Sequence, residues 1–342
     1  MLDLVTGSSG LLGSCLVERL LARGRRVRAL DLVPPPDARG AAPGVEFVQA
    51  DLRDARAVTD ACRGAEVVYH LAAGQRMKPQ FAGLSEPEIY AMNVAAVEHV
   101  VAAALATGVR KLVAISSSGV YGIPRTIPCD EDHPQRPLGA YGRSKIEAER
   151  RCRDALARGL DVTLLRPMSL FGPRMTGVFV LLFDWVRQGK NVYLLGAGTN
   201  RVQMVSAWDV AHACLLAAER PASRGAVLNL GADDVPTVRA QVDALIAHAG
   251  SRSRVVPLPA GLLRTGARVL TRLGLSPIVP EHYLLADRTF ILDTARAKAI
   301  LGWQPRCSNV RMTVDAYDWY CAHGERYRPQ AGPVLRLLNA LS

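Results

Sequence analysis

The first half of the chain alternates short β-branched or apolar runs with longer amphipathic segments, the pattern of successive βαβ units feeding a parallel sheet. LDLVTG (2–7) reads as a buried strand, and GLLGSCLVERLLARG (10–24) as the helix after it, stopped by Gly24. Further strands are expected at RVRALDL (26–32), VEFVQADL (45–52), AEVVYHLAA (65–73), KLVAISSS (111–118) and GLDVTLLRP (159–167). NVAAVEHVVAAALATG (93–108) reads as a helix stopped by Gly108, and the preceding GQRMKPQFAGLSEPEIY (74–90) as a long loop. The order predicts an α/β fold of Rossmann type, a doubly wound parallel sheet.

After RPMSLFGPR (166–174) the texture changes, and Gly- and Pro-rich stretches alternate with helices at VFVLLFDWVRQG (178–189) and TVRAQVDALIAHAG (237–250). NRVQMVSAWDVAHACLLAAE (200–219) returns to strand-then-helix, and AVLNLG (226–231) adds a strand. The expected division is a Rossmann domain over 1–175, with later segments such as 200–232 returning to it. A smaller mixed α/β C-terminal lobe over 176–325 would take the substrate, and 326–342 form a tail. GLLRTGARVLTRLG (261–274) sets leucines against Arg264, Arg268 and Arg272, and is expected to pack on its own lobe rather than on a membrane surface.

Composition alters this picture little. Of 342 residues, 49% are hydrophobic and 21% charged, the balance of a soluble globular protein with room for two lobes. No apolar run reaches the ~18 residues of a membrane span. MLDLVTGSSG also lacks the basic start of a signal peptide, so a cytoplasmic protein with no membrane partner is expected. Seven cysteines stand singly, with neither metal-ligand nor disulfide-framework spacing, so no metal is expected. The net charge is +11, yet the arginines are spread along the chain and no nucleic-acid motif accompanies them. A solvated basic surface with no nucleic-acid partner is the expectation; a basic pocket for a phosphorylated ligand is the alternative.

Candidate chemistry gathers at two positions. In TGSSGLLG (6–13), Gly7, Gly10 and Gly13 stand directly after a strand and at the mouth of a helix. There the chain must turn tightly, admit a pyrophosphate to the backbone and pack helix on strand. Asp31 ends the second strand, where a carboxylate takes both ribose hydroxyls of NAD and repels a 2′-phosphate. NAD is therefore the expected cofactor, over NADP. Farther on, SSSGVYG (116–122) precedes YGRSK (141–145), whose Tyr141 and Lys145 share a helix face. A phenol of pKa about 10 is a poor base at neutral pH. A nearby ammonium favours the phenolate, and a serine hydroxyl can donate to the substrate oxygen.

These motifs resemble those of the extended short-chain dehydrogenases/reductases, the NAD-dependent epimerase/dehydratase group. The matching pieces are TGSSGLLG, Asp51-Leu52, HLAA (70–73), Asn93-Val94, SSSGVYG, YGRSK, LRP (165–167), FGP (171–173), WDVA (208–211), LNLG (228–231) and LGWQP (301–305). They follow the family's order over about residues 1–320. The resemblance implies Ser117, four residues before Tyr121, as the catalytic hydroxyl beside Tyr141 and Lys145. It implies that Lys145 also holds the nicotinamide ribose. Cofactor contacts would come from Gly7, Ser9, Gly10, Leu11, Leu12 and Asp31, then Asp51, Leu52, Leu71, Ala72, Ala73, Asn93, Tyr141, Lys145 and Pro167. A homodimer is implied as well.

Departures from the pattern narrow the chemistry. Dehydrating relatives carry Asp-Glu just after the catalytic hydroxyl residue, decarboxylating ones need that glutamate, and 3,5-epimerases use cysteine there; this chain has Ser118 and Gly119. What remains is reversible oxidation of one alcohol. Nucleotide-sugar epimerases commonly have Asn where Ser169 stands and R-D-Y-x-H-V-x-D where this chain reads Val202 to Asp209, with Ser206 in place of the His. Their arginine is displaced by one, to Arg201. Candidate substrate contacts are Lys78, Ser118, Ser169, Arg174 and Arg201, the two arginines being suited to a phosphate. Asp209 is expected to cap a helix. The small-molecule substrate expected is a nucleotide-activated sugar, epimerised at C4. The alternative is an NAD(P)-dependent ketoreductase or alcohol dehydrogenase acting on a secondary-metabolite or steroid-like substrate.

Overall fold

The computed structural model of the chain describes residues 1–35, 40, 42–75, 81, 83–173, 178–259, 261 and 284–323. Its strands are β1 (Leu2–Thr6), β2 (Arg26–Asp31), β3 (Val45–Gln49), β4 (Val67–His70), β5 (Lys111–Ile115) and β6 (Asp161–Pro167). Five shorter ones follow: β7 (Ser169–Phe171), β8 (Val192–Leu195), β9 (Met204–Ser206), β10 (Val227–Leu230) and β11 (Val255–Leu258). The helices are α1 (Leu11–Ala22), α2 (Ala55–Cys62), α3 (Glu86–Thr107), α4 (Ala140–Ala157), α5 (Val178–Gln188), α6 (Ala207–Glu219) and α7 (Val238–His248). The last two described are α8 (Ala295–Leu301) and α9 (Asn309–His323).

Seven strands make one parallel sheet in the order β3-β2-β1-β4-β5-β6-β10. β4 and β5 are buried along their whole length, which is why their sequences read as continuous apolar runs rather than alternating ones. Adjacent residues still divide between the two faces. Val5, Val113 and Leu165 join the core under α1 and α6, whereas Leu4, Leu112 and Leu164 join the one under α2, α3 and α4. A third cluster, including Phe171, Phe183, Leu245 and Tyr317, fills the space between α5, α7 and α9. The strand order reverses between β1 and β4, so their carboxyl ends open a crevice where ligands bind in doubly wound sheets.

One element is longer than its sequence pattern indicated. α3 starts at Glu86, seven residues before Asn93, inside the stretch that reads as loop. Ser85 caps it: its hydroxyl accepts from Glu88 N while Glu88 reaches back to Ser85 N at 2.7 Å, and Pro87 fits the first turn. α3 is also long and apolar enough to cross a membrane by length and composition, with mean hydropathy 1.6. Here it lies against the sheet, burying Val97, Val100 and Val101, and Asn93 makes three hydrogen bonds within the protein. The helix expected at 261–274 falls almost wholly outside the described residues, as does the tail over 326–342.

Candidate active site

The crevice begins at the turn from β1 into α1. Gly7 has φ +73°, and a Cβ on it would lie 2.8 Å from Ala72 N; one on Gly13 would lie 2.1 Å from the Gly7 oxygen. No side chain fits between the turn, the end of β4 and the helix. Gly10 caps α1 without any side-chain hydrogen bond, so the amides of the first turn lack an acceptor from a side chain and suit a diphosphate. Asp31 ends β2 beside the same turn, accepting from Ser9 N at 2.9 Å and Val33 N at 3.2 Å. Arg25, the basic residue before β2, instead pairs with Asp3 and Glu66 at the other end of the sheet. The cradle thus fits a dinucleotide whose ribose meets a carboxylate.

Other residues expected at the cofactor are divided in their contacts. Leu71, Ala72 and Ala73 form the half-buried stretch after β4, Leu11 and Leu12 begin α1, and Pro167 ends β6. Leu52 is buried and its carbonyl accepts from His99 Nδ1 at 2.8 Å. Asp51 is engaged by Arg53, with Nη2 to Oδ2 2.6 Å, and that guanidinium holds its carboxyl below the usual carboxylate range. Asn93 Oδ1 accepts from Gly74 N at 2.7 Å, while its amide donates to Gly74 O at 3.1 Å and Ser144 Oγ at 3.0 Å. Both its amide hydrogens are thus used within the protein, and the amide brackets the loop after β4.

The chemical groups stand on two neighbouring elements. Ser117 follows β5 and opens a short turn, its Oγ accepting from Gly119 N at 3.0 Å. Tyr141 and Lys145 stand one turn apart on α4. The two elements meet closely because residue 142 is glycine: a Cβ there would lie 2.6 Å from both Gly119 O and Pro137 Cβ. Ser117 and the Tyr141 ring face the same spot: a Cβ on Gly119 would lie 3.3 Å from Ser117 Oγ and 3.9 Å from the Tyr141 ring. Lys145 Nζ donates to Ile115 O at 2.8 Å and lies 5.8 Å from the centre of the Tyr141 ring. Ser117, Tyr141 and Lys145 are thus brought together as the sequence pattern led one to expect. The expectation of a lowered phenol pKa is not met, because burial raises it and the bonds from Gln75 and Ser117 draw it back only in part.

Beneath these groups lies a buried polar network. Glu149, one turn after Lys145, is fully buried and takes a two-pronged ion pair from Arg166 of β6, at 2.7 Å and 2.6 Å. It also accepts from Ser116 Oγ at 2.6 Å, from Gln135 at 3.0 Å and from Arg153 at 3.0 Å. Arg166 passes the network on to Tyr121 OH at 2.8 Å, which donates to Asn229 of β10 at 2.7 Å. The ion pair keeps Glu149 ionised despite burial, which acts against it. One carboxylate therefore joins α4, β6 and the serine stretch after β5. Nearby, His70 is bonded to Thr6 Oγ1 at 2.9 Å; burial, with the Lys145 charge second, pushes its pKa down to about 3.

On the substrate side, three of the five predicted residues lie among the described residues, each in a different setting. Ser118 is buried in the turn beside Ser117. Ser169 is exposed on β7, and Arg201 is exposed where its backbone bridges Thr237. Lys78 and Arg174 lie outside the described residues. Asp209 is not the cap of α6: Ser206 is, accepting from Trp208 N at 3.2 Å. Asp209 stands in the first turn and accepts from Arg306 N at 3.0 Å and Cys307 N at 3.2 Å, so it clasps a segment far along the chain. The sequence pattern did not single out Gln75 or Glu149, and it named His70 only as the start of HLAA, with no role. Glu149 carried a signal, four residues beyond Lys145 on the same helix face, whereas Gln75 carried none.

Comparison with known proteins agrees with this architecture. The sequence model of the NAD dependent epimerase/dehydratase family matches residues 4–231. A UDP-glucose 4-epimerase of Mycolicibacterium smegmatis is 32% identical over 328 residues, covering 90% of this chain and 94% of that protein. The 3beta-hydroxysteroid-dehydrogenase/decarboxylase isoform 2 of Arabidopsis thaliana is 28% identical over 375 residues, covering 98% of this chain and 65% of that protein. Among solved structures, MoeE5 in complex with UDP-glucose and NAD is 28% identical with a TM-score of 0.75, covering 94% of this chain and 98% of MoeE5. With the glycine cradle and Asp31 in keeping, the chain belongs to the NAD-dependent epimerase/dehydratase family of extended short-chain dehydrogenases/reductases, enzymes whose cofactor is NAD.

Proposed function

We propose that this enzyme epimerises a nucleotide-activated sugar by oxidising one ring hydroxyl, that on C4, to a ketone and reducing it again from the opposite face. The observation that carries the reading is the convergence of Ser117, Tyr141 and Lys145, with Ser118 and Gly119 beside them in place of a carboxylate pair or a thiol. The M. smegmatis epimerase and the UDP-glucose complex of MoeE5 support the substrate class. Bound NAD supplies the acceptor and donor of hydride, and a positive charge. Ser117 donates a hydrogen bond to the substrate oxygen and orients it. Tyr141 takes the hydroxyl proton as the alcohol is oxidised and returns it to the same oxygen on reduction, so the proton count closes in each turnover. Lys145 favours the phenolate by its charge, against the upward push of burial. Neither Ser118 nor Gly119 offers an acid or base for losing water, so the ketone leaves the site only by reduction.

The test is twofold: the nucleotide released on denaturing the purified protein, and turnover of UDP-glucose and UDP-galactose. NAD retained in stoichiometric amount and interconversion without added cofactor are expected. An empty protein that consumes NADH only with a carbonyl substrate would refute the reading and establish the second one, a ketoreductase or alcohol dehydrogenase of a steroid-like substrate. That second reading is favoured by one observation: Val202 and Ser206 stand at the positions of the usual diphosphate clamp, and Ser206 is occupied as the cap of α6. The Arabidopsis relative supports it. A homodimer in the cytoplasm completes the proposal, checked by sedimentation and by fractionation of cells.

A further inference from the structure

The end of β5 is fastened to α4 at successive residues. Lys145 Nζ donates to the Ile115 carbonyl at 2.8 Å. The Ser116 hydroxyl donates to Glu149 Oε1 at 2.6 Å, a charge-assisted bond between two buried groups. Ser117 follows, and a Cβ on Gly119 would lie 3.3 Å from its Oγ and 3.9 Å from the Tyr141 ring. Tyr141, Lys145 and Glu149 are one turn apart on α4, so one face of the helix meets three consecutive residues of the strand end. The backbone of Ser116 is fixed as well, its N–H donating to Leu165 O of β6 at 2.7 Å.

These fastenings differ in what else they do. Lys145 belongs to the chemical group, whereas Ser116 is buried and spends its one hydroxyl hydrogen on Glu149. Glu149 is held without that bond, because Arg166 grips both its oxygens at 2.7 Å and 2.6 Å, and Gln135 and Arg153 add one bond each. The carboxylate is a fixed post, and the serine hydroxyl is the tie to it. We propose that Ser116 is a positioning residue: by holding the end of β5 to Glu149, it sets the separation of the Ser117 hydroxyl from the Tyr141 phenol. The proposal rests on the reading of those two groups as the ones that orient the substrate oxygen and take its proton.

The test compares Ser116→Thr, which keeps the hydroxyl, with Ser116→Val, which has the same shape without it. Ser116 borders a small internal cavity together with Ala148, Cys152 and Leu164, so the added methyl group does not meet packed atoms on every side. Each protein is assayed with UDP-glucose and UDP-galactose after its retained NAD has been measured. Ser116→Thr is expected to keep the wild-type kcat, and Ser116→Val to lose about 10-fold in kcat at unchanged KM, since small displacements of reacting groups act on rate. Ser116→Ala takes the place of the valine variant if that one does not fold. A merely structural role would lower stability to urea and leave the kcat of the folded, NAD-loaded protein alone, so equal kcat with and without the hydroxyl overturns the proposal. Crystal structures of the NAD-bound proteins give a reading without substrate. The distance from Ser117 Oγ to Tyr141 Oη is expected to lengthen in Ser116→Val and not in Ser116→Thr, and an unchanged distance overturns the proposal. A wild type inactive on UDP-sugars would therefore remove the epimerase reading, while the distance still decides the role of Ser116.

Discussion

The ion pair between Glu149 and Arg166 gives the sharpest stability prediction, because its two halves are unequally supported. Replacing Glu149 by Leu takes two charge-assisted hydrogen bonds from Arg166, which is 2% exposed and keeps only Tyr121 OH and Glu131 O as acceptors. Stranding a buried charge in this way costs about 4 kcal/mol. Replacing Arg166 by Met leaves Glu149 with Ser116, Gln135 and Arg153, the last of which reaches solvent, so a smaller loss of about 3 kcal/mol is expected. The double variant removes both charges and fills both sites with apolar groups. It should cost no more than Glu149→Leu alone, about 4 kcal/mol against an additive sum of about 7, a coupling of about 3 kcal/mol. Urea unfolding followed by tryptophan fluorescence measures all four proteins, provided the slopes agree. If the double variant loses the full sum, or if the two single losses come in the reverse order, the argument from unequal support is wrong.

Further outcomes follow from the same contacts. The folded-state pKa of His70, about 3, lies below its ordinary 6.5, so the unfolded chain binds the extra proton and stability falls as pH drops from about 6.5 toward 3. Between pH 7 and pH 5 this amounts to about 2 kcal/mol, a loss that unfolding curves for His70→Asn should lack. Gly142→Ala drives a methyl into Gly119 O and Pro137 and lifts Tyr141 from Ser117; kcat is expected to fall about 100-fold with NAD still retained, and an unchanged kcat would contradict the packing argument. Ser85→Ala removes the cap of α3 and should cost about 1 kcal/mol in thermal or urea unfolding.

What was legible in the sequence follows from the range over which each feature is encoded. Strands buried on both faces declare themselves as apolar runs, and the glycine turn and Tyr141/Lys145 are local spacings, so the sheet and that pair could be read directly, whereas Ser117 was picked from three serines only by the family resemblance. The start of α3 was written locally too, as Ser85, Pro87 and Glu88, but lay in a Gly- and Pro-containing stretch that reads as loop. Asp209 could not be read, because the amides it clasps come from Arg306 and Cys307 and leave no trace near it. The raised phenol of Tyr141 belongs to the same class, since burial is set by elements from all over the chain. Gln75 sits in a stretch without periodicity, and only the Asn93 clamp gives it a position.

The core under α1 and α6 has a consequence for how the chain comes to be folded. Val5, Leu16, Val113 and Leu165 share that cluster with Phe290, Leu292, Leu301 and Trp303, whose indole donates to Asp209 O at 2.9 Å. The match to the family's sequence model ends at residue 231, yet the wall of the cofactor half is not complete until Trp303 has been added. During synthesis the face under α2, α3 and α4, whose members run from Leu4 to Leu164 with Val227 at its margin, can close first. The opposite face gains α6 in turn but lacks its last apolar side chains, from Phe290 to Trp303, until the chain is almost finished. A fragment cut at residue 231 would leave the hollow of a buried tryptophan open, and is expected to unfold at lower urea than the whole chain.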